Sequence, residues 1–436
     1  MSKWQLIIIK SLILLVDTMV GVIIFLGSAV YMCGSYLIWP SRYNITAHLN
    51  LAFVFLAFFV PAVILENQND FAPELVTLYT ELLIVGAIFY VIGLFTGFQI
   101  KAGPTSFSFD VLETKIYERR VIRITKILLI SGIIGETLGY LLMGFVPMFA
   151  ADPLAAKFFR GPYAVPAYVS AIYLSSFFIL STIVPIGLMI WYQNKKKVLF
   201  LFLIVTAVGL MMLSLARSPA FSGIVLTVAV IMSFKSKKLF VAFILLIFGL
   251  YAFSSVFYFI TGIRDYSEMG FALKTDHVFW RVLSSGSNDV NEQLDFLRYF
   301  NNNPEWTYGQ TIYGGLIPGH YYWNPSVYTL RVITMGQDVN EVISGGVRLP
   351  APMWGYVSFQ WPGAAIFSFL SGFARGAIIK YTKYWVNKHK SLLVIIIVMS
   401  INIAVFESLP YFFILSMYTI PPILVFLFYM FRFKLK

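Results

Sequence analysis

Residues 166–192 read PAYVSAIYLSSFFILSTIVPIGLMIWY, 27 residues without a charge, and Gln193-Asn194-Lys195-Lys196-Lys197 follows at once. At a helical rise of ~1.5 Å per residue, such a run is long enough to cross the ~30 Å hydrocarbon core of a bilayer. A helix on the surface of a soluble domain keeps a polar face, and this stretch has none. It reads as a membrane span stopped by a lysine triplet, because Lys and Arg resist translocation.

The same pattern recurs in both directions along the chain. Apolar runs stand near 12–38, 46–65, 77–98, 127–149, 166–192, 198–216, 219–234, 239–262, 354–378, 391–409 and 411–431, which predicts eleven spans. Composition agrees: 59% of the 436 residues are hydrophobic, 18% aromatic and 12% charged, whereas ordinary globular chains carry about 25% charged residues. A single Cys excludes an intramolecular disulfide, and no Cys/His cluster has metal-ligand spacing. The net charge of +12 does not imply nucleic acid, since the basic residues form short clusters between apolar runs. The expected fold is an all-α, polytopic integral membrane protein.

Orientation follows from where the cations collect. Taking every second connection as cytoplasmic places 21 of the 32 Lys and Arg on one side: Arg42, the six in 99–126, Lys195 to Lys197, Lys235, Lys237 and Lys238, the five in 375–390 and the three at the end. The C-terminus is then cytoplasmic and, with eleven spans, the N-terminus lies outside. Residues 2–11 read as an interfacial lead-in with Lys3 and Lys10 snorkelling, and the first apolar run is not followed by a signal-peptide cleavage site. Three regions result: spans one to eight in 1–262, a long extracytoplasmic loop in 263–353, and the last three spans in 354–436.

That loop holds 91 residues, six Lys/Arg and nine Asp/Glu, a net of −3. A connector of that length is folded or functional. Asp289 with Glu292 forms a capping box, and Val290, Leu294, Leu297 and Phe300 follow at helical spacing, so a short amphipathic helix is expected over 290–301. The Asn301-Asn302-Asn303-Pro304 run stops it. Beyond it, Gly and Pro interleave with Tyr and Trp, which reads as irregular chain packed over a cavity. No internal repeat is visible, unlike the two matching halves of many transporters.

Charged groups within spans are rare and costly. Asp17, Glu81, Glu136 and Glu407 qualify, with Arg217 at a boundary. Glu136, flanked by Gly132, Gly135 and Gly139, is open to two readings, a helix-packing hydrogen bond or a place in a functional cavity. On the outer side stand Lys157, Arg160, Arg217, Arg264, Arg281, Arg298, Arg331 and Arg348. Arginine suits phosphate because its planar fork donates two parallel hydrogen bonds and stays charged; a surface or headgroup-anchoring role is the alternative for each. Arg298, on the amphipathic helix, is expected to be solvated. His320, in Pro318-Gly319-His320-Tyr321-Tyr322-Trp323, is placed to act as a general base on a sugar hydroxyl or as an ordinary structural histidine. The sequence has no P-loop, GxSxG or HExxH motif, so a metal or a nucleotide cofactor is not expected.

Three stretches carry a resemblance. Gly144-Phe145-Val146-Pro147-Met148-Phe149-Ala150-Ala151-Asp152, leading to Lys157 and Arg160, is the first; Leu215-Ala216-Arg217-Ser218 is the second. The third runs from Trp280-Arg281-Val282 through Tyr308-Gly309 and Leu316-Ile317-Pro318 to Pro350-Ala351-Pro352 and Phe359 to Gly363. In these features the chain resembles the bacterial O-antigen polymerase (Wzy-type) family of oligosaccharide repeat unit polymerases. Gly319 and Asn324 stand where family members often have Arg and Lys.

The resemblance implies a C-class glycosyltransferase-like enzyme in the cytoplasmic (inner) membrane, with its site facing the periplasm or exterior. It would move a growing glycan from undecaprenyl pyrophosphate to a lipid-linked repeat unit, without metal or cofactor. Its partners would be undecaprenyl-pyrophosphate-linked glycans, membrane lipids and a chain-length regulator protein. Arg217, Arg264 and Arg281 would clamp pyrophosphate, with Arg160 and Arg348 as further cations. His320, or else Glu136 or Asp265, would take the acceptor proton, and Tyr321, Tyr322 and Trp323 would stack on sugars. An O-antigen ligase shares this plan with a different acceptor, and a polysaccharide flippase is the rival from another class.

Overall fold

The structure, a computed structural model, describes residues 19–59, 61–62, 71–100, 115–194, 198–215, 217–261, 289–317, 321–342, 345–389, 391–406 and 420–425. These are helical, with no β-strand among the described residues. In chain order the helices are α1 (Met19–Leu37), α2 (Ile45–Val54, continued by a π-helical turn at Phe55–Phe59), α3 (Pro73–Gln99), α4 (Lys115–Met143), α5 (Pro153–Lys157), α6 (Ala167–Gln193) and α7 (Val198–Leu213). There follow α8 (Arg217–Lys235), α9 (Lys237–Thr261), α10 (Asp289–Asn302), α11 (Thr311–Gly314), α12 (Pro325–Ile333), α13 (Ala351–Lys388) and α14 (Leu392–Phe406).

Among the described residues, four of these helices are long and apolar enough to cross a membrane: α1, α3, α6 and α13. They correspond to the spans expected at 12–38, 77–98, 166–192 and 354–378. Helix α7 and the stretch Ala220–Lys235 are apolar but shorter. The expected span 411–431 lies largely outside the described residues, as do Asp17 and Glu407. Glu81 is exposed on α3. The chain is thus a helical, membrane-embedded protein.

The tightest contact in the bundle joins α3 to α13 and is made of glycine. Gly93-Leu-Phe-Thr-Gly97 on α3 faces Gly372-Phe-Ala-Arg-Gly376 on α13. A methyl on Gly93 would overlap the Phe369 carbonyl oxygen, and one on Gly97 that of Phe373. Reciprocally, a methyl on Gly372 would overlap the Tyr90 carbonyl and one on Gly376 that of Leu94. Lipid tails are as apolar as Leu, so helices in a bilayer associate through close packing, and paired small residues at a spacing of four permit it. Helix α1 joins through Tyr31, whose hydroxyl donates to Ser368 Oγ at 2.9 Å and whose carbonyl accepts from Tyr90 at 3.3 Å. A second glycine stripe, Gly132, Gly135 and Gly139 on α4, lies against Leu180, Ser176 and Tyr173 of α6.

Two expectations are corrected here. Helix α13 runs from Ala351 to Lys388, beyond the expected 354–378, and it is broken at Phe359 and Gln360. Arg375, at the end of the expected span and counted with the cytoplasmic cations, lies well inside α13 and is 1% exposed, in the electrostatic reach of Cys33 and Tyr90. The second is the chain after Asn303, expected to be irregular, which contains α12. Asn324 caps it by accepting from the Ser326 N–H at 3.1 Å, and Pro325 fits the first helical position, where its missing N–H costs nothing. The amphipathic helix expected over 290–301 is α10, with Val290, Leu294, Leu297 and Phe300 buried.

The glycine contact makes a direct prediction. Gly376→Leu forces a side chain into the α3 backbone and should lower stability by at least the ~1–3 kcal/mol typical of overpacking. Gly249→Ala on α9, with nothing among the described residues within 4 Å of the added methyl, should be neutral or gain up to about 1 kcal/mol. Denaturant titration of the purified protein in mixed micelles separates the two outcomes.

Candidate functional site

One end of the bundle carries a cap built from residues 289–349 and the first two turns of α13. The cap's floor is apolar: Val290, Leu294, Leu297 and Phe300 of α10 pack with Tyr328, Val332, Leu349, Met353 and Trp354. Two polar links fix α10 to the bundle. Tyr79 of α3 donates to Gln293 Oε1 at 2.7 Å, and Gln293 Nε2 donates to the Arg348 carbonyl at 2.8 Å. The residues from 150 to 163 join the same end, since a methyl on Gly161 would lie 3.9 Å from the Asn340 carbonyl oxygen and Gly345 packs on the Phe158 ring.

The broken helix α13 is the cap's most unusual element. Gln360 holds φ +57°, ψ −145°, a region that residues with a Cβ rarely enter. The break brings the Gly355 and Gly363 backbones into contact, and a methyl on either would overlap the other's carbonyl oxygen. Thr307 secures it: its N–H donates to the Val357 carbonyl at 3.0 Å, and its hydroxyl meets Ser358 Oγ at 2.6 Å. Pro362 gives the local cause, because it has no N–H to offer the Ser358 carbonyl four residues earlier and its ring crowds that carbonyl, so the helix breaks between them. The outcome is an exposed Phe359-Gln360-Trp361-Pro362 tip. Trp361 continues an aromatic series through Tyr356 and Trp306 to Phe300, with ring centroids 5.7, 6.3 and 5.1 Å apart. Phe359 lies beside the Tyr308-Gly309 turn, 3.6 Å from the position of a Gly309 methyl. The sequence marked Phe359 to Gly363 only as part of a resembling stretch and gave the tip no role; Gly355 and Pro362-Gly363 were the signal of its break.

The predicted sugar-stacking residues lie in an ionic cluster. Glu305 accepts from Arg331 Nη1 with both oxygens, at 2.7 and 2.8 Å, and from the Tyr322 hydroxyl at 2.5 Å. The Arg331 guanidinium sits 3.3 Å from the Tyr322 ring centroid and covers one face of it. Trp323 meets Tyr322 edge-on at 4.9 Å, and Tyr321 is half-buried. Donation to Glu305 pushes the Tyr322 phenol above its ordinary pKa, with a smaller contribution from burial. Tyr322 thus keeps half its surface exposed while its position is fixed by three groups.

The predicted cations do not all converge. Arg348 forks onto Asp289, Nε to Oδ1 at 2.8 Å and Nη2 to Oδ2 at 3.1 Å. Arg160 is 4% exposed in a turn flanked by left-handed Phe159 and Gly161. Burial pulls its pKa below the ordinary arginine value, and the Asp338 carboxylate acts against that. Arg298 pairs with Asp295 at 2.6 Å and remains 42% exposed, in keeping with a solvated residue. Arg217 opens α8, the position at which backbone N–H groups and the helix dipole favour an anion. Arg264, Asp265, Arg281 and His320 lie outside the described residues.

Glu136 is fully buried between α4, α6 and α7. The Tyr140 hydroxyl has one hydrogen and lies 2.8 Å from the Leu210 carbonyl but 3.5 Å from Glu136 Oε1, so the backbone contact is the better bond. Among the described residues, Glu136 Oε2 has no hydrogen-bond partner. In this arrangement the carboxyl is enclosed by the described helices. No family model, curated protein or solved structure matches the chain.

The Asp289–Arg348 pair is predicted to hold α10 on the cap. Arg348→Ala leaves a carboxylate that is 1% exposed without its fork and should cost about 1–3 kcal/mol, moderated by the partial exposure of the arginine. The Asp289→Ala, Arg348→Ala double variant should recover part of that loss. Additive losses in a double-mutant cycle would show that the pair is not coupled.

Proposed function

We propose that this chain is a multi-pass glycosyltransferase of the oligosaccharide repeat unit polymerase type, with about eleven spans in a bacterial cytoplasmic membrane. Its substrates are undecaprenyl-pyrophosphate-linked glycans, and its site faces the periplasm or exterior. The observation that carries this reading is the cap. Exposed Tyr308, Tyr322, Phe359 and Trp361 stand on a rigid platform at the same end of the bundle as Arg217. Carbohydrate recognition needs flat apolar faces held in place, and anchored aromatic rings supply them.

The chemistry asked of the site is displacement at an anomeric carbon. The acceptor hydroxyl oxygen forms the new C–O bond, the bond to pyrophosphate breaks, and the electron pair leaves with the phosphate oxygen. Cations that stabilise this charge as it develops lower the barrier. Arg217 at the start of α8, with Arg264 and Arg281, is assigned that role, because Arg160 and Arg348 already face Asp338 and Asp289. His320 is assigned as the base, with Asp265 in reserve; burial removes Glu136 from this role.

Purified protein incubated with a lipid-pyrophosphate oligosaccharide should produce a ladder of lengthened glycans. Arg217→Lys keeps the charge and loses the fork, so it should slow the ladder by roughly 10²–10³-fold if the arginine acts on the transition state. Arg298→Ala should leave it unchanged. Wild-type rates for the Lys variants of Arg217, Arg264 and Arg281 together would reduce these residues to headgroup anchors.

Orientation can be tested separately. Cys33, the only cysteine, is buried, so background labelling is low. Cys introduced at exposed Gln337 should react with a membrane-impermeant maleimide in intact cells, whereas Cys at Ser106 should not. The reverse result would place the cap in the cytoplasm.

A further inference from the structure

At the end of the bundle opposite the cap, α8 and α13 end while α2 and α14 begin, and between them lies a pocket of about 360 Å³. Its polar lining consists of Lys235, Asn387, His389 and Tyr43. Lys235, Asn387 and a protonated imidazole nitrogen all offer donors. Tyr43 brings a further cation, since Arg42 Nη2 donates to its hydroxyl at 2.8 Å with the guanidinium 5.0 Å from the ring centroid. Lys237, Lys238 and Lys388 adjoin these residues in sequence, and no Asp or Glu occurs in 40–46, 232–240 or 384–392. Two helix starts and two helix ends meet here, so their dipoles largely offset one another and the side-chain charge decides the sign.

The rest of the lining is apolar. Phe234, Val386 and Leu392 complete the wall, and the Phe234 and Tyr43 rings pack at 4.5 Å. Inorganic phosphate would satisfy the donors and leave these surfaces wet. A phosphodiester carrying glycerol and acyl chains satisfies both halves, and α13, which forms one side, is a helix of membrane-crossing length. We infer that this pocket binds the phosphate headgroup of an anionic membrane lipid, held between Lys235, Asn387 and His389. The site is independent of the transferase reading: it stands at the other end of the bundle and uses none of the same residues.

The test uses full-length protein in nanodiscs of phosphatidylcholine with a minority of phosphatidylglycerol, and counts retained lipids by native mass spectrometry. The wild type should retain phosphatidylglycerol preferentially. Lys235→Gln should weaken retention about 5-fold, the effect of one basic residue near an anionic headgroup. Leu392→Trp fills the pocket without changing charge and should weaken it as well, while Arg298→Ala at the cap should not. Loss with Lys235→Gln but not with Leu392→Trp would mean diffuse surface attraction and overturn the pocket. Displacement of the lipid by millimolar inorganic phosphate would assign the site to the free anion instead. Equal retention of both lipids by the wild type would overturn the inference altogether.

Discussion

The backbone contact between α3 and α13 is the constraint on which the other features depend. Glycine within a helix costs about 0.5–1 kcal/mol relative to alanine, so Gly86, Gly93, Gly97, Gly372 and Gly376 together weaken their own helices. What they provide is approach: each places bare backbone against the neighbouring chain, where dispersion works at its shortest range. The contact runs along the C-terminal half of α3, from the Gly86–Pro352 meeting to Gly97 beside Phe373 and Ala377. Because α13 is held along this line, its two ends are fixed points. One end carries the Phe359–Pro362 tip and the other the Asn387–His389 wall of the basic pocket.

The strain at Gln360 follows from that fixing. A residue with a Cβ in its conformation costs on the order of 1–3 kcal/mol and persists only where the surroundings over-determine it. Here they do. Gly355 and Gly363 are in backbone contact, Thr307 bonds to Val357 and Ser358, and the lower part of α13 is clamped by α3. The chain must turn back within a few residues, and the turn exposes two large aromatic side chains rather than burying them. Exposed apolar surface at such a strained, well-supported turn is the arrangement expected of a binding surface.

Much of the coarse architecture was legible in the sequence because it rests on runs and periods. The uncharged run at 166–192 becomes α6, and the three- and four-residue spacing of Val290, Leu294 and Leu297 becomes α10, each by a pattern that one helix satisfies alone. What escaped depends on two segments at once. The Gly93/Gly97 and Gly372/Gly376 motifs lie far apart in sequence, and neither signals which partner it meets. Arg375 was counted with the cytoplasmic cations although the expected span reached 378, and nothing in the sequence showed that the bundle buries it. Helix α12 was missed although Asn324-Pro325 is a sound start signal, because the surrounding Gly and Pro suggested irregular chain. Of the predicted site, the arginines were recognised by type, but their carboxylate partners could not be. Asp289 pairs with Arg348 across 59 residues and Glu305 with Arg331 across 26, and only the fold brings them together.

These pairings narrow the chemistry that the cap can perform. A guanidinium already forked onto a carboxylate offers little to a phosphate, since a new ligand must first displace an intramolecular partner held at high effective concentration. Arg348 and Arg331 therefore act on the cap's shape. Arg331 does so doubly, because the group that binds Glu305 also covers Tyr322 and thereby orients its phenol. An arginine at a helix start is in a different position, as the free backbone N–H groups of that helix end favour an anion rather than compete for it. Arg217 is the predicted cation with that placement among the described residues; under the proposed function, the anionic end of the substrate is therefore assigned to α8 and its sugars to the aromatic tip.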